Sequence, residues 1–196
     1  MKPKQRSGVR QKAANFNSKT ESAALCRDAA TAALCPNCGL CCDSTLFADV
    51  ELRSGDDPKH LAKLGLALHS KTKATLAFSQ PCACFDGKLC KIYHDRPKRC
   101  RLFECGLLKK VEAGEMTASA ALGKIAGAKT GAEKVRRLLR QSGQRDERMA
   151  LTHRYVAAMT APIDFSKEGE ADQRGELMLA VNELMHRLQT DFLAPS

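Results

Sequence analysis

The chain has no tryptophan, two tyrosines and seven phenylalanines in 196 residues. That scarcity removes the aromatic platforms on which single-stranded nucleic acid stacks. No apolar run approaches the ~18 residues a membrane-spanning helix needs, and uncharged stretches such as Thr117 to Gly123 are short and rich in alanine. A membrane partner is therefore not expected. Acidic residues are missing from the first twenty positions, which hold six basic side chains. The apolar run of roughly 7–15 residues that marks a secretory signal does not follow them. An acid-free start also resembles an organelle transit peptide, but its amphipathic periodicity is poor. Residues 1–18 read as a solvated, disordered basic tail. Weak attraction to nucleic acid or anionic membrane is the functional alternative. The chain also lacks a nucleotide-binding loop, a dinucleotide fingerprint and a convincing Cys/His/Asp triad.

The formal charge of +10 comes from 32 basic and 22 acidic side chains. Residues 21–110 carry fourteen basic and ten acidic groups, and residues 111–196 carry twelve of each. The excess lies in the tail and the cysteine-bearing region. A uniformly basic nucleic-acid binder is charged differently, so nucleic acid is a disfavoured partner.

Ser18 or Thr20 can cap a helix over Glu21–Leu34, ended by Cys35-Pro36. Residues 45–53 alternate. Leu46, Ala48, Val50 and Leu52 fall on one side and Asp49, Glu51 and Arg53 on the other, the period of a half-buried strand. Ser54 to Pro58 forms a turn in which Asp57 can cap a helix over Lys59–Leu68, with Pro58 at its first position. After Gly106 the composition shifts to Ala, Leu, Glu, Lys and Arg. Thr117–Ala128, Ala132–Gln141 and Glu147–Ala161 read as helices separated by glycine-containing turns. In Ala171–Phe192, Leu177, Val181, Leu184, Leu188 and Phe192 form an apolar stripe that Met178 and Met185 widen. Ordinary packing is the preferred reading of that stripe over a partner-helix site.

All ten cysteines lie between Cys26 and Cys105. Cys35, Cys38, Cys41 and Cys42 form C-P-N-C-G-L-C-C, in which two-residue gaps let a tight turn aim thiolates at one cation and Gly39 gives access to positive φ. Cys82, Cys90, Cys100 and Cys105 follow in a second motif. A disulfide framework would call for a secretory signal, and a thioredoxin-like pair would not use eight thiols. Metal chelation explains the clustering. A double zinc ribbon needs two Cys-x2-Cys knuckles, and the second half has none. Cys35, Cys38 and Cys41 match the first three ligands of a bacterial ferredoxin, but the adjacent Cys42 and the missing Cys-Pro depart from it. Zinc, mononuclear iron and an iron–sulfur cluster all suit sulfur-rich ligation. Lys91, Arg96, Lys98, Arg99 and Arg101 interleave with the second motif and can offset thiolate charge, against the alternative of a phosphate-binding patch. Tyr93, Arg96 and Arg101 are read as serving the metal site, with Pro97 restricting Arg96 to extended backbone. His94 reads as a solvent-exposed loop histidine and not as a ligand. Because adjacent Cys41 and Cys42 cannot easily point at one centre, the two motifs are expected to meet, with ligand sulfurs within ~4 Å of one another.

These residues resemble the YkgJ-like cysteine-cluster family, the CxxCxxCC zinc- or iron-chelating proteins. The likeness rests on C-P-N-C-G-L-C-C at 35–42, L-F-A-D-V-E-L at 46–52, Q-P-C at 80–82 and C-K-I-Y-H-D-R-P-K-R-C-R-L-F-E-C at 90–105. It implies metal ligation by Cys35, Cys38, Cys41, Cys42, Cys82, Cys90, Cys100 and Cys105, and leaves Cys26 and Cys84 outside the set. The expected fold is mainly α with a short β element. A metal-organised cysteine-cluster domain at 19–110 is followed by a helical segment at 111–196 that packs on it. The expected function is a cytoplasmic chelator of zinc or iron, as ions or an iron–sulfur cluster, more a binding protein than an enzyme. The alternative is an iron–sulfur enzyme or enzyme subunit in redox or methyl-transfer chemistry.

Overall fold

A computed structural model describes residues 29–164, 166 and 168–193. The tail at 1–18, the caps Ser18 and Thr20 and the thiol Cys26 lie outside the described residues. The described part is mainly helical with one small sheet, the expected class. Helix α1 covers 29–38 of the described residues. A loop leads to strand β1 (Asp49–Glu51), and α2 (Pro58–Lys63) precedes a hairpin of β2 (Leu68–Thr72) and β3 (Thr75–Ser79). Five further helices follow, namely α3 (Lys98–Leu102), α4 (Gly106–Glu112), α5 (Ala118–Gln141), α6 (Leu151–Thr160) and α7 (Glu170–Arg187). A π-helical turn, Leu188–Leu193, extends α7.

Helix α1 continues through Pro36 to residue 38 instead of stopping at Cys35. Proline removes one donor to the carbonyl four residues earlier, and that residue, Ala32, is exposed to water. Gly39, at φ 76°, ends the helix in the left-handed conformation that glycine adopts freely.

The antiparallel sheet has the order β1-β3-β2, pairing Val50 and Leu68 with Phe78 from either side. Strand β1 is shorter than the alternation predicts because the side chains proposed for its inner face divide. Leu46 packs against a helical cluster, whereas Val50 and Leu52 join a cluster under the sheet. Asp57 caps α2 as expected, its Oδ1 accepting from the backbone N–H groups of Lys59 and His60 at 3.0 and 3.1 Å. The helix ends at Lys63 and does not reach Leu68, since Gly65 at φ 100° turns the chain so that Leu66 enters the sheet cluster. Leu68 then opens a hairpin that the sequence reading did not foresee.

There are two apolar clusters. The smaller gathers Val50, Leu61, Leu66, Phe78, Cys84 and Ile92. The larger joins Leu34, Leu40, Leu107 and Leu108 to the inner faces of α5, α6 and α7. Helix α5 is continuous where a glycine turn at 129–131 was expected. Two of its three glycines face α7 at close range: a Cβ on Gly127 would lie 3.0 Å from Arg187 Nη1, and one on Gly131 would lie 3.4 Å from Leu184 Cδ1. They admit a neighbouring helix and do not break their own. Helix α6 begins at Leu151, four residues after the expected Glu147, because Asp146 and Arg148 close a turn on each other through Arg148 N and Nε. The stripe of α7 is buried at Leu177, Leu184, Leu188 and Phe192, but Met178 and Met185 are exposed and do not widen it. Ala180 takes the buried place.

The helix contacts generate a paired prediction. Gly131→Leu should destabilise the protein by about 1–3 kcal/mol through overpacking against Leu184. Gly123→Ala, where nothing lies within 4 Å of the new Cβ, should stabilise it by about 0.5–1 kcal/mol. Urea titration followed by circular dichroism measures both.

Candidate metal centre

The first motif is a helix end folded back on itself. Leu34 and Leu40 are buried on either side of it and anchor it to the helical cluster. At the turn, the N–H groups of Cys42 and Asp43 both donate to the Gly39 carbonyl, at 2.8 and 3.1 Å. Phe85 of the second motif closes over the glycine so tightly that a Cβ there would lie 2.7 Å from its Cζ. The C-terminal helices hold the turn from behind. Arg136 pairs with Asp43 Oδ2 at 3.0 Å and donates to Thr45 Oγ1 at 2.9 Å. Lys129 Nζ donates to the Asn37 carbonyl at 3.2 Å, and Leu151 N–H donates to Ser44 Oγ at 3.3 Å.

The second motif reaches the first through the backbone: Cys82 N–H donates to the Cys42 carbonyl at 2.8 Å. Phe85 bridges to Cys90 across a tight loop, in which Asp86 Oδ1 accepts from Lys88 N–H at 2.9 Å and Leu89 N–H at 2.7 Å. Those donors hold the Asp86 carboxyl below its ordinary range. Asp56 ties the start of α3 to the turn after β1, its two oxygens accepting from Lys98 N–H and Arg53 N–H, each at 2.8 Å. Cys100 rides on α3, and Cys105 stands at the start of α4.

The turn, the 82–90 loop, α3 and the start of α4 thus bring both motifs together. Burial is the first cause acting on each displaced thiol. It pushes Cys38 up to about 12, with Cys105 and Cys35 adding to the rise and the Leu40 N–H opposing it. Cys41 is pushed well up by burial and then by Cys38, Cys42, Cys105 and Cys35. Cys42 rises to about 12 through burial and then Cys82, Cys100 and Cys90. Cys100 also rises to about 12, through burial and then Cys82, with Arg96 opposing. Cys82 rises to about 11, while Cys35 and Cys105 shift the same way. The thiols are within electrostatic reach of one another. Among the described residues, however, no three His, Cys, Asp or Glu side chains are drawn together closely enough to hold a metal as they stand. A closed metal shell is therefore not formed among them. Neutral thiols have no mutual attraction that would close it.

Arg96 opposes the rise of both Cys35 and Cys100, so its charge acts on a thiol of each motif. It is held by its own loop: Nε donates to the Tyr93 carbonyl at 2.9 Å, and the guanidinium lies 3.7 Å over the Tyr93 ring. Tyr93 is thereby a support for Arg96. Arg101 is exposed and lines a surface cavity with Asp56, Asp57, His60, His94 and Asp95. His94 is exposed there, as expected, and stacks edge-on against Tyr93. Cys84 is buried in the sheet cluster, and its Sγ donates to the Leu64 carbonyl at 3.4 Å.

Sequence reasoning missed Arg136, whose partners lie more than ninety positions away; an arginine on a helix otherwise reads as surface. It also missed Phe85, whose role is visible only once Gly39 is placed beneath it. Glu112 is a further case, an acidic neighbour that raises Cys35 and Cys105.

Residues 34–120 match the family model described as "CxxCxxCC: Putative zinc- or iron-chelating domain". No curated protein and no solved structure matches the chain. Among the described residues no helix is long and apolar enough to cross a membrane.

Two outcomes follow from this geometry. Gly39→Ala places a Cβ both against Phe85 and at φ 76°. It should cost at least the ~1–2 kcal/mol of a left-handed alanine, and Gly39→Ala with Phe85→Ala should recover only the clash. Denaturant midpoints and proteolysis of the 35–105 region report on both. The second outcome concerns pH. A thiol whose folded pKa lies above its unfolded value binds its proton longer in the folded state. Its contribution is complete below the ordinary value of 9 and is lost as pH rises toward about 12. Metal-free, reduced protein should therefore lose stability across that alkaline window, which thermal unfolding at stepped pH will show.

Proposed function

We propose that this protein is a cytoplasmic chelator of zinc or iron, as ions or as an iron–sulfur cluster, and that Cys35, Cys38, Cys41, Cys42, Cys82, Cys90, Cys100 and Cys105 are its ligands. The observation that carries the reading is the meeting of the two motifs, seamed by the Cys42–Cys82 backbone hydrogen bond and by Phe85 seated on Gly39. The donor set fits. It is all sulfur, half-buried for the most part and lined by Arg96, and soft thiolates in such a setting select zinc or iron over magnesium or calcium. A bound cation supplies the positive charge that lets buried thiols ionise. The chain's own residues do the rest. Gly39 and Phe85 set the turn, Arg136 and Lys129 hold it to α5, and Arg96 offsets charge between the motifs. Tyr93 positions Arg96, and Arg101 stands by the neighbouring cavity as a lesser contributor. Residues 19–110 act as the binding domain and 111–196 as its helical support.

Elemental analysis of reduced, anaerobically purified full-length protein tests the reading. Zinc or iron should be present in stoichiometric amount. Its complete removal should open residues 35–105 to protease while α7 keeps its helicity. A protein that takes up neither metal, or whose cysteine region stays resistant after demetallation, refutes the proposal. Uptake at neutral pH should also release protons, because Cys38, Cys42, Cys82 and Cys100 must give theirs up to ligate. Calorimetry in buffers of different ionisation enthalpy measures that release.

A further inference from the structure

We propose that the eight thiols form two separate four-sulfur centres, one from Cys35, Cys38, Cys41 and Cys105 and the other from Cys42, Cys82, Cys90 and Cys100. The inference rests on the chelation reading above and says how the ligands are shared.

Covalent adjacency is the first argument. Cys41 and Cys42 follow one another in a turn closed by two hydrogen bonds to the Gly39 carbonyl, and two thiols on adjacent residues are poorly placed to ligate one tetrahedral ion. The neighbours each one finds are different. Cys42 is joined to Cys82 through its carbonyl, and the thiols acting most strongly on it are Cys82, Cys100 and Cys90. Cys41 has Cys38, Cys105 and Cys35 around it, besides Cys42 itself. Other thiols group in the same way, although Cys82 has Cys84, outside both sets, beside it as well as Cys90. Cys38 has Cys105 and Cys35 as thiol neighbours, Cys35 has Cys105, and Cys100 has Cys82 and Cys90.

Packing divides the thiols in the same way. Cys38 and Cys105 lie against the large helical cluster, together with Leu34, Leu40, Leu107 and Leu108. Cys82, Cys90 and Cys100 lie against the small sheet cluster. Each set collects its four sulfurs from at least two elements: α1, the turn and the start of α4 for the first, and the turn, the 82–90 loop and α3 for the second. Four sulfurs is also the full complement of a closed structural zinc site. Two such centres side by side carry like charge, and Arg96 acts on one member of each, Cys35 and Cys100. The first centre would join the cysteine motif to the helical body, and the second would close the loops beneath the sheet.

Titration of the reduced full-length chain with Co(II), following the thiolate-to-cobalt charge-transfer absorption, tests the division. Wild type should saturate at two equivalents. Cys105→Ser and Cys90→Ser should each bind one, and the double variant none. Saturation of wild type at one equivalent, or loss of both equivalents in either single variant, overturns the division while leaving chelation standing. Absence of any Co(II) or Zn(II) binding overturns chelation itself and the division with it. A measurement on wild type alone guards against misfolded variants. The chain is loaded with one equivalent of Zn(II), alkylated, and the intact chain is fragmented in the mass spectrometer to locate the unmodified thiols. In each chain that holds one zinc, the protected thiols should belong to one set, and protection mixed across the sets overturns the proposal.

Discussion

Removal of thiolates from water is the constraint around which this protein is arranged. Burial is the leading cause that raises Cys35, Cys38, Cys41, Cys42, Cys82, Cys100 and Cys105, and the neighbouring thiols add to it. A buried sulfur tolerates only two states, a proton on the sulfur or a cation beside it. Elsewhere in the fold charge is arranged conventionally. Asp57 caps a helix, Asp86 closes a loop, and Arg140 spans Glu133 and Glu147 on the surface. In the cysteine region, by contrast, the charge of Arg96 acts on a thiol of each motif.

The rest of the architecture holds these thiols in place. There are two apolar clusters, one under the sheet and one among the helices, and Leu40 of the turn belongs to the second. Gly39 makes that turn close enough for Phe85 to sit on it, and Cys42 and Cys82 join across it. From the other side α5 grips the same turn through Arg136 and Lys129. Helix α5 can do so because it is long, unbroken and pressed against α7 by its own glycines. The helical segment thus touches the cysteine turn from α5 and from the start of α6.

Several local features were legible from residue order. The Asp57–Pro58 helix start, the glycine turn within C-P-N-C-G-L-C-C and the burial of Leu177, Leu184, Leu188 and Phe192 appear where the pattern places them. Their determinants are local: a side-chain oxygen two or three residues from its donor, a residue without Cβ, a repeat of three and four. The errors share a different cause. The hairpin at 68–79 has little β-branched character and forms because β1 and Phe78 provide an edge and a core. Gly127 and Gly131 resemble breaks until a neighbouring helix occupies the space beside them. Leu46 and Leu52 alternate as if on one strand face but serve different clusters.

The candidate site divides along the same line. Residue order alone determined which atoms are available: eight sulfurs in two motifs, their spacing, the basic residues among them and the family they resemble. It could not say which sulfur faces which. That assignment depends on where a turn, a loop and two short helices separated by up to seventy positions come to rest. Only the packing of the two clusters against that turn decides it, because contacts distant in sequence leave no periodic trace in it.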